Sequence, residues 1–296
     1  MKFDKQLAED VQITEDALKK YLSSEDTCGQ EKIYEAVKYS AFAGGKRLRP
    51  VLTIEFCRAC GGNPQAVLPF AAALEMIHAY SLIHDDLPCM DDDELRRGQP
   101  TNHKVYGEAM AVLAGDALLN RAFETVLDPA LLTTLPAETI VRASGVLARA
   151  AGMDGMIGGQ VLDMKSEGKK LEIADLQNLQ ALKTGALIRA AAQMGCIVAG
   201  ADHAKVQAAD IYASRLGLAF QIQDDILDIE GDTETFGKPV GSDAQNEKCT
   251  YPSLLGIEKS HALVRSLTDE AIEALSVFDN AAFLRELAEY LVVRDH

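Results

Sequence analysis

Two clusters of aspartates carry the densest chemistry in the chain: Asp85, Asp86, Asp91, Asp92 and Asp93, with Arg96 and Arg97 close behind, and Asp224, Asp225 and Asp228 far downstream. Each closes a strongly apolar stretch, where carboxylates repel one another and resist desolvation unless something cationic neutralises them. A hard divalent ion suits that role. Magnesium takes oxygen ligands, keeps several waters and shares one or two carboxylates with substrate phosphates, so paired clusters point to a polyphosphate held between them. Neither cluster is an EF-hand loop, which alternates carboxylates over about twelve residues around a central Gly and ends in Glu.

Donors for an anion lie nearby in sequence. Gly44-Gly45-Lys46-Arg47-Leu48-Arg49-Pro50 joins glycines, three cations and a proline suited to a first helical turn. Lys46 and Arg49 are placed to grip a phosphate beside a helix N-terminus. The pattern is not a Walker loop, and read alone it is equally a solvated basic turn. Arg96 and Arg97 offer guanidinium forks. Lys183-Thr184, Lys238 and Lys248 supply further donors, although a single lysine is ordinarily a surface residue. His84 adjoins Asp85, but helical neighbours point in different directions, which favours packing over a general-base role.

The elements that must carry these groups read as helices. In the segment from Arg215 to Ile229, Gln221, Asp224, Asp225 and Asp228 recur at offsets of three and four, along one face. A single stripe of this kind is ordinarily a solvent-facing side. From Ala71 to Asp86 the stripe His78, Ser81, Asp85 has the same offsets on an otherwise apolar helix, which belongs in a core and should open its carboxylate end on an internal cavity. Pro88 should loosen the backbone after Asp85 into a bulged turn. On an unbroken helix Asp92 would lie above Asp85; with a bulge Asp91 replaces it.

Helical periodicity continues through Leu7 and Val11, Ile173-Leu176-Leu179-Leu182 and Leu284-Leu287-Leu291, while aromatic residues make up only 6% and strand signals are nearly absent. The expectation is an all-α protein forming one large domain over residues 1–296. Turns are expected at Ser23 to Gly29, Gly44-Gly45, Gly61 to Pro64, Gly98 to Pro100, Asp128-Pro129, Gly158-Gly159 and Gly231 to Gly241.

Composition narrows the partners. Hydrophobic residues make up 48% and charged residues 25%, no apolar run is read as long enough to span a membrane, and the charged N-terminus lacks an export segment, so a cytoplasmic protein is expected. The net charge of −16 argues against nucleic acid. An anionic small substrate would be repelled too, so the basic residues should concentrate beside the carboxylates. The six cysteines are scattered, and Cys57-x-x-Cys60 has no second pair for zinc; they read as reduced thiols.

Together, the glycine-rich basic segment, the first aspartate motif with Arg96-Arg97-Gly98, Lys183-Thr184-Gly185 and Phe220 to Asp228 resemble, in order and spacing from about Tyr34 to Pro252, the signature set of trans-isoprenyl diphosphate synthases. The resemblance implies an all-α bundle around a deep cavity, a homodimer, and several Mg²⁺ ions, or Mn²⁺, bridging the aspartates to an allylic diphosphate. It implies Asp85 and Asp91 as metal ligands with Asp86 supporting, and Asp224 with Asp225 and Asp228 supporting. It assigns Arg96, Lys183, Thr184, Gln221, Lys238 and Lys248 to the allylic diphosphate, and Lys46, Arg49, His78 and Arg97 to isopentenyl diphosphate. Among these, Asp85, Asp91, Arg96, Lys183, Asp224 and Lys238 would carry catalysis.

Tyr80 and Ser81, five and four residues before Asp85, together with the insertion Pro88-Cys89, resemble bacterial-type farnesyl diphosphate synthases, where a large aromatic at this place goes with stopping at fifteen carbons. The implied reaction joins isopentenyl diphosphate head-to-tail to dimethylallyl or geranyl diphosphate. A geranylgeranyl or geranyl diphosphate synthase is the alternative. A non-catalytic helical partner subunit is a further reading, set back by two intact aspartate motifs.

Overall fold

The computed structural model describes residues 2–23, 28–230 and 249–293. Helices α1 (Lys2–Tyr21), α2 (Glu31–Ala41), α3 (Leu48–Ala59) and α4 (Pro64–Asp85) precede a two-stranded hairpin, β1 (Leu95–Arg96) and β2 (Gln99–Pro100). Then come α5 (Asn102–Tyr106), α6 (Glu108–Val126), α7 (Ala137–Ala151), α8 (Met156–Ser166), α9 (Ile173–Gln180), α10 (Ala186–Val198) and α11 (His203–Glu230). After residue 248 follow α12 (Tyr251–Leu255), α13 (Ile257–Ala274) and α14 (Ala282–Val293). The all-α expectation holds; the hairpin is the only sheet among the described residues.

The architecture follows from α4. Asn63 caps it, its side chain accepting from the Gln65 N–H at 3.0 Å. Leu74, Met76, Ile77 and Ile83 are wholly enclosed, and each such side chain contributes roughly 1.5–3 kcal/mol of burial. Apolar on every side, α4 is packed by α1, α2, α3, α6, α7 and α10. This corrects the reading that no apolar run is long enough to span a membrane: the 22-residue α4 holds an 18-residue stretch of mean hydropathy 1.5, long and apolar enough, and 67% of that stretch is buried within the protein. The same composition serves a bundle centre when other helices replace lipid.

A second, smaller core of Leu176, Ala219, Ile222, Ile226, Tyr251, Val264 and Leu267 lies under the C-terminal half of α11. It lets α11 hold a polar stripe on one side and be anchored on the other. Close approach of α10 to α3 depends on Gly195, where a Cβ would fall 2.4 Å from the Thr53 carbonyl oxygen. That contact also sets the Cys60 and Cys196 sulfurs 3.5 Å apart, and the described cysteines are all free thiols.

One turn expectation fails, and the turn expected at Gly231 to Gly241 lies outside the described residues. Gly158-Gly159 lies inside α8 rather than between helices. A Cβ on Gly159 would lie 2.1 Å from the Lys183 backbone nitrogen, so its bareness serves helix contact rather than chain reversal.

Candidate active site

Helix α4 ends at Asp85 and the backbone folds back at once: the Asp91 N–H donates to the Asp85 carbonyl at 2.9 Å and the Asp92 N–H to the Leu87 carbonyl at 3.1 Å. This is the bulged turn expected around Pro88. It returns Asp91 toward Asp85, whose carboxyl feels the Asp91 charge, while the Asp92 carboxylate lies 3.9 Å from His103 Nε2. Burial pushes the Asp85 carboxyl up to about 6; Asp91 and Asp86 add to the rise, and Lys183 and Arg96 oppose it.

Arg96 and Arg97 are delivered by the hairpin. Arg97 (φ 54) and Gly98 (φ 75) form its two-residue reversal, the left-handed pair that matches strand twist. The Arg96 guanidinium donates to Asp86 and, at 3.0 Å, to Asp93. The Arg97 guanidinium lies across Gly45, where a Cβ would come within 2.7 Å of its Cζ. Gly45 (φ 133) is thus required by backbone conformation, and its bareness lets the cation lie close.

These contacts draw the basic segment against the hairpin. Arg47, itself left-handed at φ 47, is an internal clamp: it donates to Glu15 and Glu75 and to the Ala41 carbonyl, each at 2.7 Å. Lys46 is exposed beside it. Arg49 is lowered by burial and by Arg97, with Glu75 opposing, and its Nε is buried without a hydrogen-bond partner. His78 is driven well below the usual imidazole range by burial, then by Arg49, Arg97, Arg47 and Arg96. Arg47 and Arg96 are answered by carboxylates, whereas Arg49 and Arg97 are both lowered, by burial and then by neighbouring arginines, which is the signature of an anion site. A cleft lined by His78, Asp86, Arg96, Arg97, Gln99 and Asn102 opens beside it.

Lys183 comes from a π-helical turn, Ala181–Gly185, between α9 and α10. Such turns re-aim a side chain out of helical register. The Lys183 ammonium pairs with Asp163 on α8, its charge reaches Asp85, and the turn itself packs on α11. Thr184 is half-buried in the same turn. On α11, Gln221 and Asp224 are half-buried, Asp225 and Asp228 are buried, and Asp225 accepts the Tyr251 N–H at 3.0 Å. Lys238 and Lys248 lie outside the described residues.

Among the described residues no three carboxylate, imidazole or thiol groups converge on one point. Asp85, with its pKa raised beside Asp91, is the kind of group a hard cation would return to its ionised form, and oxygen donors in ones and twos suit magnesium shared with phosphate oxygens. The residues fit such an ion.

One turn before Asp85, Tyr80 is 4% exposed, and its hydroxyl is buried without a hydrogen-bond partner. Burial and the Asp85 charge raise it to about 12. Ser81 turns inward on its own helix, donating to the His78 carbonyl at 2.9 Å.

Residues 30–290 match the family described as Polyprenyl synthetase. The chain belongs to that family. Over 293 residues it is 46% identical to a farnesyl diphosphate synthase of Geobacillus stearothermophilus, covering 98% of this chain and 97% of that protein. It is also 46% identical to a geranylgeranyl pyrophosphate synthase of Catharanthus roseus, over 90% of this chain and 74% of that one. The solved geranylgeranyl pyrophosphate synthetase of Pyrococcus horikoshii superposes with a TM-score of 0.89 at 30% identity, covering 99% of this chain and 100% of the other. As a polyprenyl synthetase the chain carries residues that motif spacing did not single out. Glu75 balances the arginine group, Asp163 holds Lys183, and Gly159 seats the π-helical turn. Glu75, an acid inside an apolar helix, was the one readable signal, since such a residue demands a buried partner.

Proposed function

We propose that this chain is a magnesium-dependent prenyltransferase that makes farnesyl diphosphate from isopentenyl diphosphate and dimethylallyl or geranyl diphosphate. The observation that carries the reading is the presence of two differently built anion sites. Around Asp85, carboxylates mix with Arg96 and Lys183, as a metal–diphosphate site requires. Around His78, Arg49 and Arg97 stand beside the carboxylate-paired Arg47 and Arg96, as suits a diphosphate bound without a metal bridge. A terpene cyclase, with one diphosphate to bind, has no use for the second.

In this reading Asp85 and Asp91, with Asp86 supporting, and Asp224, with Asp225 and Asp228 supporting, hold magnesium, which when bound supplies positive charge to the leaving diphosphate. Arg96, Lys183, Thr184 and Gln221, with Lys238 and Lys248, orient the allylic diphosphate and offset the charge that accumulates as its carbon–oxygen bond breaks. Lys46, Arg49, His78 and Arg97 hold isopentenyl diphosphate so that its double bond lies against the allylic carbon. Its π electrons form the new carbon–carbon bond, and the proton then lost passes to the departed diphosphate. Tyr80 closes the floor, because an extra methylene alters burial by only about 0.8 kcal/mol and cannot stop growth sharply without a steric plug.

The same reading makes residues 1–296 one synthase domain, acting as a cytoplasmic homodimer. Its support is the family match over most of the chain and the enclosure of α4 within the bundle. The second reading, geranylgeranyl diphosphate synthesis, is favoured by the plant and archaeal relatives bearing that name. Purified protein incubated with isopentenyl diphosphate and each allylic starter, with magnesium or with chelator, tests both. A fifteen-carbon product that requires metal is expected. A mainly twenty-carbon product shifts the assignment to the second reading, and no condensation with any starter overturns both.

A further inference from the structure

Tyr80 has nothing polar to hold its ring. Its hydroxyl is buried without a partner, so the ring's orientation rests on packing alone. One turn later, His84 meets it edge to face, ring centroids 5.7 Å apart and planes at 76°. His84 is itself fixed from the far side: its Nε2 lies 3.1 Å from the Val112 carbonyl of α6, and a carbonyl only accepts, so that nitrogen donates. The imidazole fits because residue 115 has no side chain. A Cβ on Gly115 would lie 2.0 Å from His84 Nε2 and 2.4 Å from Cδ2. Histidine, glycine and carbonyl thus form a socket that α6 offers to the aromatic floor on α4.

We propose that His84 is a positioning residue for product length, holding the Tyr80 ring across the cavity from a socket made by Gly115 and the Val112 carbonyl. It touches neither substrate nor metal in this role and acts through Tyr80. The proposal rests on the function given above. It adds a second helix to the determinant of length: α6 sets where the ring stands, and α4 supplies the ring.

Product distribution is the readout, because a histidine that merely ties α4 to α6 would change stability and leave chain length alone. The fraction of product one five-carbon unit longer than the main one is measured for wild type, Tyr80→Ala, His84→Ala, Gly115→Ala and the Tyr80→Ala/His84→Ala double variant. Tyr80→Ala is expected to raise that fraction. His84→Ala and Gly115→Ala are expected to raise it roughly three- to tenfold, about what loss of one edge-on contact and its anchor would give. The double variant should match Tyr80→Ala alone, since the two residues act as one unit. His84→Gln, whose amide retains a donor for Val112, gives a folded variant lacking only the ring edge and is expected to lengthen product too. Wild-type distributions in folded His84→Ala and His84→Gln overturn the proposal, as does an unchanged Tyr80→Ala or a fully additive double variant. Wild-type protein that makes no prenyl diphosphate defeats the function itself, a distinct result.

Discussion

Arg47 and Arg49 show how two identical side chains, two residues apart, come to opposite uses. Arg47 is enclosed with Glu15, Glu75 and a carbonyl on its fork, while Arg49 keeps a buried Nε without a partner. The sequence reading names Lys46 and Arg49 as phosphate donors and gives Arg47 no partner. Glu75 signals a buried partner but not which one, since nothing local says which cation an isolated acid in an apolar helix will meet. Arg47→Ala should strand Glu75 without its cation, and loss of about 3–5 kcal/mol is expected from chemical denaturation, the usual consequence of breaking a buried pair from one side. Arg49→Met should leave folding intact and raise KM for isopentenyl diphosphate.

At the scale of elements, the helices were readable and their meetings were not. Periodicity located α4 and α11, and Pro88 announced the turn that brings Asp91 rather than Asp92 to Asp85. The hairpin was seen only as a turn at Gly98, because strands of two residues leave no alternation to detect. Gly158-Gly159 reads as a reversal because glycine pairs punctuate chains more often than they let helices touch. The π-helical turn at Ala181–Gly185 has no sequence marker at all; it exists where α8 presses on it through Gly159. Gly159→Ala would set a Cβ against backbone, which cannot yield as a flexible side chain does. The expected cost is about 1–3 kcal/mol, and because the displaced turn carries Lys183, kcat should fall more than the melting temperature suggests. A kcat/KM within twofold of wild type in a folded variant would contradict this.

Across the whole molecule, a chain of net charge −16 gathers its cations where anions must enter. Elsewhere acids crowd. Arg58 donates to both Asp10 oxygens, at 2.8 and 2.6 Å, and must also serve Glu55. One guanidinium between two carboxylates leaves a charge uncompensated, and burial, then Asp10, push Glu55 up to about 8 from an ordinary 4.5. The folded state therefore binds this proton more tightly than the unfolded one. Its contribution is complete below about 4.5 and is lost as pH rises through about 8. Thermal midpoints should decline across that window, and Glu55→Gln, which keeps the shape without the charge, should flatten the decline.

The arginine group around His78 has an energetic consequence beyond catalysis. Arg49 and Arg97 are each disfavoured as cations, by burial first and by neighbouring arginines after it, a tension the anion-free protein carries at all times, so folding and anion occupancy are thermodynamically linked. Inorganic pyrophosphate, which no step of the reaction consumes, should raise the melting point, by the equivalent of about 2.7 kcal/mol at a hundredfold excess over its dissociation constant. Arg49→Met should melt higher than wild type in anion-free buffer and respond less to the additive. The protein would then be least stable at rest and firmest when loaded.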